Sequence, residues 1–466
     1  MRTIVSGDIT VIEPSQEILD WADKNLILSN PVFVNLMKRG QTETIQRKHV
    51  QPKVKCFVMR NNSIILPFGV GKAIGSMIRK GEVVWNFAPD HKTDFGKMPC
   101  NVSLFDYQTK AVEKLIEAKG GILKAACGAG KTYIGIELCR RLGLRFLWLC
   151  GKGDLLNQTK FNFEKLYPNI KVGTITEGEV NMGEDGTIST VQTLINVDYR
   201  LYQDEFDVVV VDECHTVTSS PTNRQMYAKV LARCKAKYKY GLTATPSRQD
   251  GLTKLIYANI GLSPNGTFYP AHTIKDSETQ SLVSKYEEFV LDTEKSYYYL
   301  FKDGSIDYNK LLDYLAGNGE RNFKICAEVQ RLIEQEHRKV ALLSYRVNHC
   351  QWLYSELFNI GMKVGIVTGK SNKKDRKETI EVPENWDVII STTHLFKEGL
   401  DIKALDTVFI ALPFKDANAI QQSEGRAERP LEGKNEPLFV FAHDKNISFC
   451  NDVERKMRRI VCRKRK

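Results

Sequence analysis

One short segment constrains this chain more than any other: Ala125-Ala126-Cys127-Gly128-Ala129-Gly130-Lys131-Thr132. An apolar run, GGILKA, leads into it, and an amphipathic stretch, YIGIELCRRL, comes directly after it. A strand that ends in a glycine-rich turn and opens directly into a helix suits one purpose above all, the cradling of phosphate. Glycines let successive backbone N–H groups curl around an anion, and the helix N-terminus adds a favourable dipole. Lysine at the end of such a loop reaches the β- and γ-phosphates, and the hydroxyl residue after it holds Mg²⁺. The segment therefore predicts an α/β chain that binds ATP through Gly128, Gly130, Lys131 and Thr132. The strict pattern begins with Gly where Ala125 stands.

The rest of the sequence supplies the sheets that such a loop requires. Runs rich in Val, Ile and Leu recur at 121–125, 146–150, 188–191 and 208–211, and again at 340–344, 364–367, 388–391, 408–412 and 438–442. They lack strict alternation, as strands buried on both faces do, and amphipathic helical patterns separate them. That rhythm predicts parallel, doubly wound sheets, and its two sets predict two lobes. At 466 residues the chain is too long for one core. It divides into four regions: an N-terminal accessory α+β domain over 1–100, with DNA binding as one reading; a first lobe over 101–263; a linker or small insertion over 264–318; and a second lobe over 319–466, ending in a basic tail.

A second chemical signal is Asp207-Val208-Val209-Val210-Val211-Asp212-Glu213-Cys214-His215. Four valines make a buried strand, and two carboxylates stand just beyond its carboxyl end, where open α/β sheets place their ligands. Asp212 is expected to hold Mg²⁺ with Thr132, and Glu213 to polarise the water that attacks the γ-phosphate. Further on, Gly241-Leu242-Thr243-Ala244-Thr245-Pro246 brings small hydroxyl residues that can relay the nucleotide state through His215.

With these three signals in this order, the chain resembles superfamily 2 helicases of the DExH kind, in the DNA-repair and remodelling branch of XPB-like, RecG-like and phage UvsW-like motors. The resemblance runs over roughly 104–445. Leu104-Phe105-Asp106-Tyr107-Gln108 resembles the adenine-reading motif, with Gln108 as its amide. Asp154–Gln158 resembles motif Ia, and Ser189–Leu194 resembles the Ib region. In the second lobe, Leu343-Ser344-Tyr345-Arg346 resembles motif IV, and Ser391-Thr392-Thr393 through Glu398-Gly399-Leu400-Asp401 resembles motif V. Gln422-Ser423-Glu424-Gly425-Arg426-Ala427-Glu428-Arg429 matches the motif VI form QxxGRxxR.

The resemblance implies two RecA-like lobes and an ATP hydrolase. Lys131, Asp212, Glu213 and the arginine fingers Arg426 and Arg429 would be catalytic. Gly399 and Asp401 would join Gln108 and the loop in holding nucleotide. Thr190, Gln192, Ser344, Arg346 and Thr393 would contact nucleic acid. The implied function is a DNA helicase or translocase acting on forks, branches or duplex in repair, recombination or replication. DECH, TATP and QxxGRxxR, in place of DEAD, SAT and HRxGRxGR, turn the reading toward DNA. Two other readings stay open: the motor of a restriction or defence complex, and an RNA-directed ATPase or sensor.

Composition bears on partners and compartment. The net charge of +11 favours polyanions. Pro31–Arg60 holds Lys38, Arg39, Arg47, Lys48, Lys53, Lys55 and Arg60 against Glu43 alone, and reads either as a duplex-gripping surface or as a solvated basic face. Eleven cysteines, none in a C-x-x-C pair, argue against a zinc site and for free thiols in a reducing, cytoplasmic setting. Cys127, inside the phosphate loop, reads either as an alkylation-sensitive thiol or as a buried small residue. No apolar stretch approaches the roughly 20 residues that span a bilayer. A monomer with DNA as its partner is the expectation.

Overall fold

The computed structural model describes the chain except residues 39, 48, 101–102, 127, 152, 177, 216–220, 247–250, 280–281, 302–303, 370, 372–378, 380–381, 400–401 and 463–466, and except the side chains of 154, 221–225, 276, 383 and 397–399. Two compact units result, Met1–Glu278 and Thr279–Lys466.

The first unit opens with a small α+β module. Strands β1 (Arg2–Val5), β2 (Asp8–Ile12), β5 (Val58–Arg60), β6 (Ser63–Pro67) and β7 (Glu82–Trp85) form a sheet in the order β5-β6-β2-β1-β7. β2 and β6 alternate buried with half-buried residues, so a single face is covered. Helices Gln16–Leu26 and Gly71–Ile78 cover it with Ile18, Ala22, Ile74 and Ile78. Between them, β3 (Ile27–Ser29) and β4 (Lys53–Lys55) pair only with each other.

The larger sheet of this unit runs β11-β10-β12-β9-β13-β14-β8-β15. Its strands are β8 (Gly121–Lys124), β9 (Phe146–Cys150), β10 (Val172–Thr176), β11 (Glu179–Asn181), β12 (Gly186–Thr190), β13 (Val208–Val211), β14 (Tyr238–Thr243) and β15 (His272–Thr273). All neighbours are parallel except β10 and β11. Val208 and Val210 enter one core with Trp148, Phe163 and Leu242, while Val209 and Val211 enter the opposite core with Leu149, Val230 and Ile256. Helices on both faces thus explain why the valine run shows no polar alternation.

Packing fuses the small module to this lobe. A Cβ on Gly7 would lie 2.0 Å from the Ala232 carbonyl oxygen, and one on Gly69 would lie 2.3 Å from that of Tyr257. Lys239, on β14, is fully buried and donates to the carbonyls of Gly7 (2.8 Å) and Leu231 (2.6 Å), with its ammonium 4.3 Å from the Phe68 ring centre.

The second unit is a six-stranded, all-parallel sheet in the order β16-β21-β20-β17-β19-β18. Its strands are β16 (Lys285–Leu291), β17 (Val340–Ser344), β18 (Val364–Val367), β19 (Val388–Thr392), β20 (Thr407–Ile410) and β21 (Leu438–Asp444). Ala341 and Leu343 face one core, Val340 and Leu342 the other. Two RecA-like, doubly wound lobes and a smaller α+β module are thus present.

The stretch 264–318, read as a linker or insertion, is instead divided. β15 pairs with β8 in the first unit, and β16 pairs along its whole length with β21 in the second. Beyond β16, Tyr299, Leu311 and Leu315 pack against Leu412 and Ile447 of the same unit.

Buried thiols give this fold an alkaline limit. Burial pushes Cys150, Cys326 and Cys350 up to about 12 from an ordinary 9.0. Above pH 9 the unfolded chain loses these protons while the folded chain keeps them, so stability falls as pH rises. Lys239, held down at about 8 by burial, acts in the opposite sense from there to 10.5. Lys434 is held down to about 8 by burial as well, but burial also raises Cys139, Cys214, Cys234 and Cys450, so the thiols outweigh the two lysines and the urea midpoint of the reduced protein should fall between about pH 9 and 10.5. A flat or rising midpoint would contradict the thiol burial.

Candidate active site

β8, β14 and β13 are adjacent and parallel, so their carboxyl ends open on one edge of the sheet. Three polar segments meet there: the loop after β8, Thr243–Thr245 and Asp212–His215. The Ala125 N–H donates to the Thr243 carbonyl at 3.0 Å, which ties the first to the second. Gly128 and Gly130 take φ values of 84° and 74°, the left-handed region in which glycine carries no Cβ penalty. Gly130 also caps the helix Lys131–Leu142. The Lys131 ammonium donates to the carbonyls of Ala125 (3.3 Å) and Ala126 (3.2 Å), which hold it over the loop. Thr132 stands next in the helix's first turn. Cys127 lies outside the described residues, so its thiol reading has no structural counterpart here.

Gln108 sits against the same loop. Its Oε1 accepts the Phe105 N–H at 3.1 Å and its Nε2 donates to the Ala129 carbonyl at 3.1 Å. A primary amide offers two donor hydrogens and two acceptor lone pairs, and the Tyr107 side chain also bonds to this one. A Cβ at residue 130 would lie 2.3 Å from that Nε2, so the amide fits only because a glycine stands there. Nothing in the sequence announced this clasp on the loop, because the motif points outward to a base.

The carboxylates are arranged for work on a cation. The Asp212 N–H donates to the Leu149 carbonyl at 2.9 Å, and Asp212 Oδ1 accepts the Glu213 N–H at 2.9 Å. Glu213 has φ 44°, an uncommon conformation for a residue with a side chain. Burial, and then the neighbouring Glu213 charge, raise Asp212 well above the usual carboxylate range, although Lys131 opposes them. A paired-acid edge of this kind is short of positive charge, and a divalent cation fits it. Among the described residues no group of three or more His, Cys, Asp or Glu side chains is gathered to hold a metal alone. Thr132 and Asp212 would be the residues to hold Mg²⁺, which would supply positive charge beside the phosphates.

His215 links the second and third segments. Its Nδ1 lies 3.1 Å from Glu213 Oε2 and 2.9 Å from Thr243 Oγ1, and that hydroxyl also accepts the Thr245 N–H at 3.1 Å. A polar chain runs from the carboxylate to the strand end after β14.

In the second unit, Arg426 and Arg429 lie at the end of the helix Ala417–Ala427 and just beyond it. The Arg426 guanidinium carbon lies 5.7 Å from the Phe396 ring centre. Glu428, between the two arginines, is buried and accepts from the Ser284 N–H (3.1 Å) and hydroxyl (3.2 Å). The Arg429 carbonyl accepts from Lys434 at 2.8 Å. Glu428 fixes the helix end across a long sequence gap that no local pattern reveals. Gly399 closes the helix Thr393–Gly399, and Asp401 lies outside the described residues.

The residues read as nucleic-acid contacts divide by exposure. Gln192 is exposed in the helix Val191–Leu194, and Thr190 caps that helix by accepting the Thr193 N–H at 3.1 Å. Arg346 is half-buried and bound to Asp313 Oδ1 at 2.7 Å. Ser344 and Thr393 are 0% and 1% exposed. The Ser344 hydroxyl lies 2.9 Å from His349 Nδ1, and that of Thr393 donates to the Ser344 carbonyl at 3.3 Å. Their side chains fasten the ends of β17 and β19.

Comparison with known proteins agrees with this geometry. The family described as Type III restriction enzyme, res subunit, matches residues 101–248, and the helicase conserved C-terminal domain matches 324–430. Together with two RecA-like sheets and the loop–carboxylate site, these matches define a superfamily 2 helicase. The chain's relatives include XPB-like translocases and viral helicases. It is 25% identical over 338 residues to a putative ATP-dependent RNA helicase of Acanthamoeba polyphaga mimivirus, covering 71% of this chain and 61% of that protein. A probable helicase of Escherichia phage T5 is 22% identical, with 68% and 66% covered. The DNA 3'-5' translocase XPB2 of Sulfurisphaera tokodaii is 24% identical, with 65% and 73% covered. The chain spans about three fifths to two thirds of the length of the first two. A fragment of a putative HsdR subunit of a type I restriction enzyme from Vibrio vulnificus YJ016 shares the fold, with a TM-score of 0.56, 18% identity and 77% and 67% covered. No helix among the described residues is long and apolar enough to cross a membrane.

Proposed function

We propose that this chain is an ATP-driven motor that translocates along or remodels DNA. The observation that carries the proposal is the meeting of the Lys131 loop and the Asp212–Glu213 pair at the ends of the parallel strands β8 and β13, which flank β14. Lys131 binds the β- and γ-phosphates, and Thr132 and Asp212 hold Mg²⁺. Bound Mg²⁺ neutralises charge across the phosphate oxygens. Glu213 takes the proton of the attacking water, and His215 with Thr243 holds that carboxylate in place. Gln108 offers its amide to the adenine edge. Arg426 and Arg429 supply the guanidinium groups for the transferring phosphoryl. Because they stand on a different unit from the loop, hydrolysis depends on the state of both units, and the nucleotide cycle becomes movement.

DNA is favoured by the DECH, TATP and QxxGRxxR forms, and by the translocase named among the relatives. RNA is the alternative that the mimivirus relative's description raises. The test is steady-state ATP turnover with single-stranded, duplex and forked DNA and with RNA. DNA should stimulate turnover at least about tenfold more than RNA, consistent with an electrostatically gripped, strand-dependent motor. Stimulation by RNA alone would overturn the DNA assignment, and no stimulation by either polymer would overturn the motor.

A further inference from the structure

The stretch between the first helix and the main part of the N-terminal sheet is built unlike the rest of the molecule. β3 and β4 pair only with each other, through Ile27↔Lys55, Leu28↔Val54 and Ser29↔Lys53. They form a stalk, and the two helices carried on it, Pro31–Lys38 and Thr42–Arg47, bury no residue. Phe33, Leu36 and Ile45 are half-buried, and the rest of both helices is turned mainly outward.

What they present is positive. Residues 27–55 contain six basic side chains (38, 39, 47, 48, 53 and 55) and one acid, Glu43. Lys38, Arg47, Lys53 and Lys55 are exposed, and none is paired with a carboxylate among the described residues. Some surface lysines elsewhere are paired with carboxylates, as in Lys80–Glu17, Lys114–Glu117 and Lys171–Glu184, whereas this stretch holds its six cations beside a single acid. The uncompensated cations lie on the stalk and on both helices, spread along the projection as phosphates are spread along a strand. Exposed Val32, Val34 and Met37 share one eight-residue helix. That apolar area is too small to anchor a lipid surface alone but suffices to pack against sugars at a groove edge.

We infer that residues 27–55 form a nucleic-acid grip for the phosphate backbone of a duplex, carried on the unit that holds the phosphate loop. The five-stranded module beside it is seated on that lobe through Gly7, Gly69 and Lys239. The inference rests on the motor reading above, and its test separates the two.

In the full chain, Lys38, Arg47 and Lys53 are replaced together by alanine. Binding of a short fluorescent blunt duplex is monitored across a salt series. The slope of log K against log[salt] should become shallower by about 2 to 3, one phosphate for each lost cation, and duplex affinity should fall about tenfold or more at low salt. ATP turnover without nucleic acid should be unchanged, since none of the three residues touches the site or the core. A triple variant that binds duplex with the wild-type slope and affinity overturns the grip. So does a loss confined to single strands, or a loss of binding to phosphatidylserine vesicles with duplex binding intact. If the wild type itself binds no nucleic acid, the motor reading falls first; if the wild type binds and is stimulated while the variant is unaltered, only the grip falls.

Discussion

Glu213→Gln should fold and bind nucleotide normally yet turn over ATP at least two orders of magnitude more slowly than wild type. Glutamine keeps the size of the side chain and an oxygen 3.1 Å from His215 Nδ1, but it cannot accept the proton of a water molecule. A base removed from such a step costs about 10²–10⁴ in rate. The conformation of Glu213 sharpens the expectation, because a left-handed backbone in a residue with a side chain costs about 1–3 kcal/mol and persists where the surroundings enforce it. Lys131→Ala should lose turnover to a similar extent by a different route, through weakened nucleotide affinity, since its ammonium lies over the loop itself. Single-turnover kinetics and nucleotide titrations distinguish the two. Turnover within a few fold of wild type in Glu213→Gln would mean that the catalytic carboxylate is another residue.

The second large effect is expected from Arg429 and Arg426. Alanine at either position should lower ATP turnover by about 10³, the lower end of what an arginine finger contributes, while nucleotide affinity changes little. The loop, Gln108 and the carboxylates all belong to the first unit, so ground-state binding has no need of these arginines. The Arg426 guanidinium starts from a defined place over Phe396 and so loses little freedom in acting, and the Arg429 backbone follows the anchored Glu428. Lysine should rescue poorly, because a point charge does not reproduce a planar fork. The measurement is turnover beside equilibrium binding of a nucleotide. Parallel loss of both would assign the arginines to binding rather than to the transition state.

The gathering of the loop and the carboxylates at one sheet edge was legible because each segment is local in sequence. The loop, the Asp212–Glu213 pair and the hydroxyls at Thr243 and Thr245 each end a strand, and parallel strands bring their ends together. The elements that escaped are those whose composition hides their burial. β14 reads Tyr-Lys-Tyr-Gly-Leu-Thr, polar and aromatic, yet it is a central strand whose Lys239 is satisfied by two carbonyls, one from a residue 232 positions away. β16 reads Lys-Tyr-Glu-Glu-Phe-Val-Leu because it lies at the sheet edge, where half-exposed positions tolerate charge. Ser344 and Thr393 show a further limit. A motif locates a strand end but does not say which way a short hydroxyl side chain turns, and both turn inward.

The backbone-to-backbone seating of Gly7 and Gly69 has a mechanical consequence. Tandem domains usually meet through side chains that slide and repack, and so swivel about one another. Here peptide planes abut with no Cβ between them, and a lysine is bonded across the seam. At these points the five-stranded module has no layer of side chains to repack against the sheet behind it. A load on that module would pass through the Gly7–Lys239 bond to β14, the strand beside the one that leads into the phosphate loop.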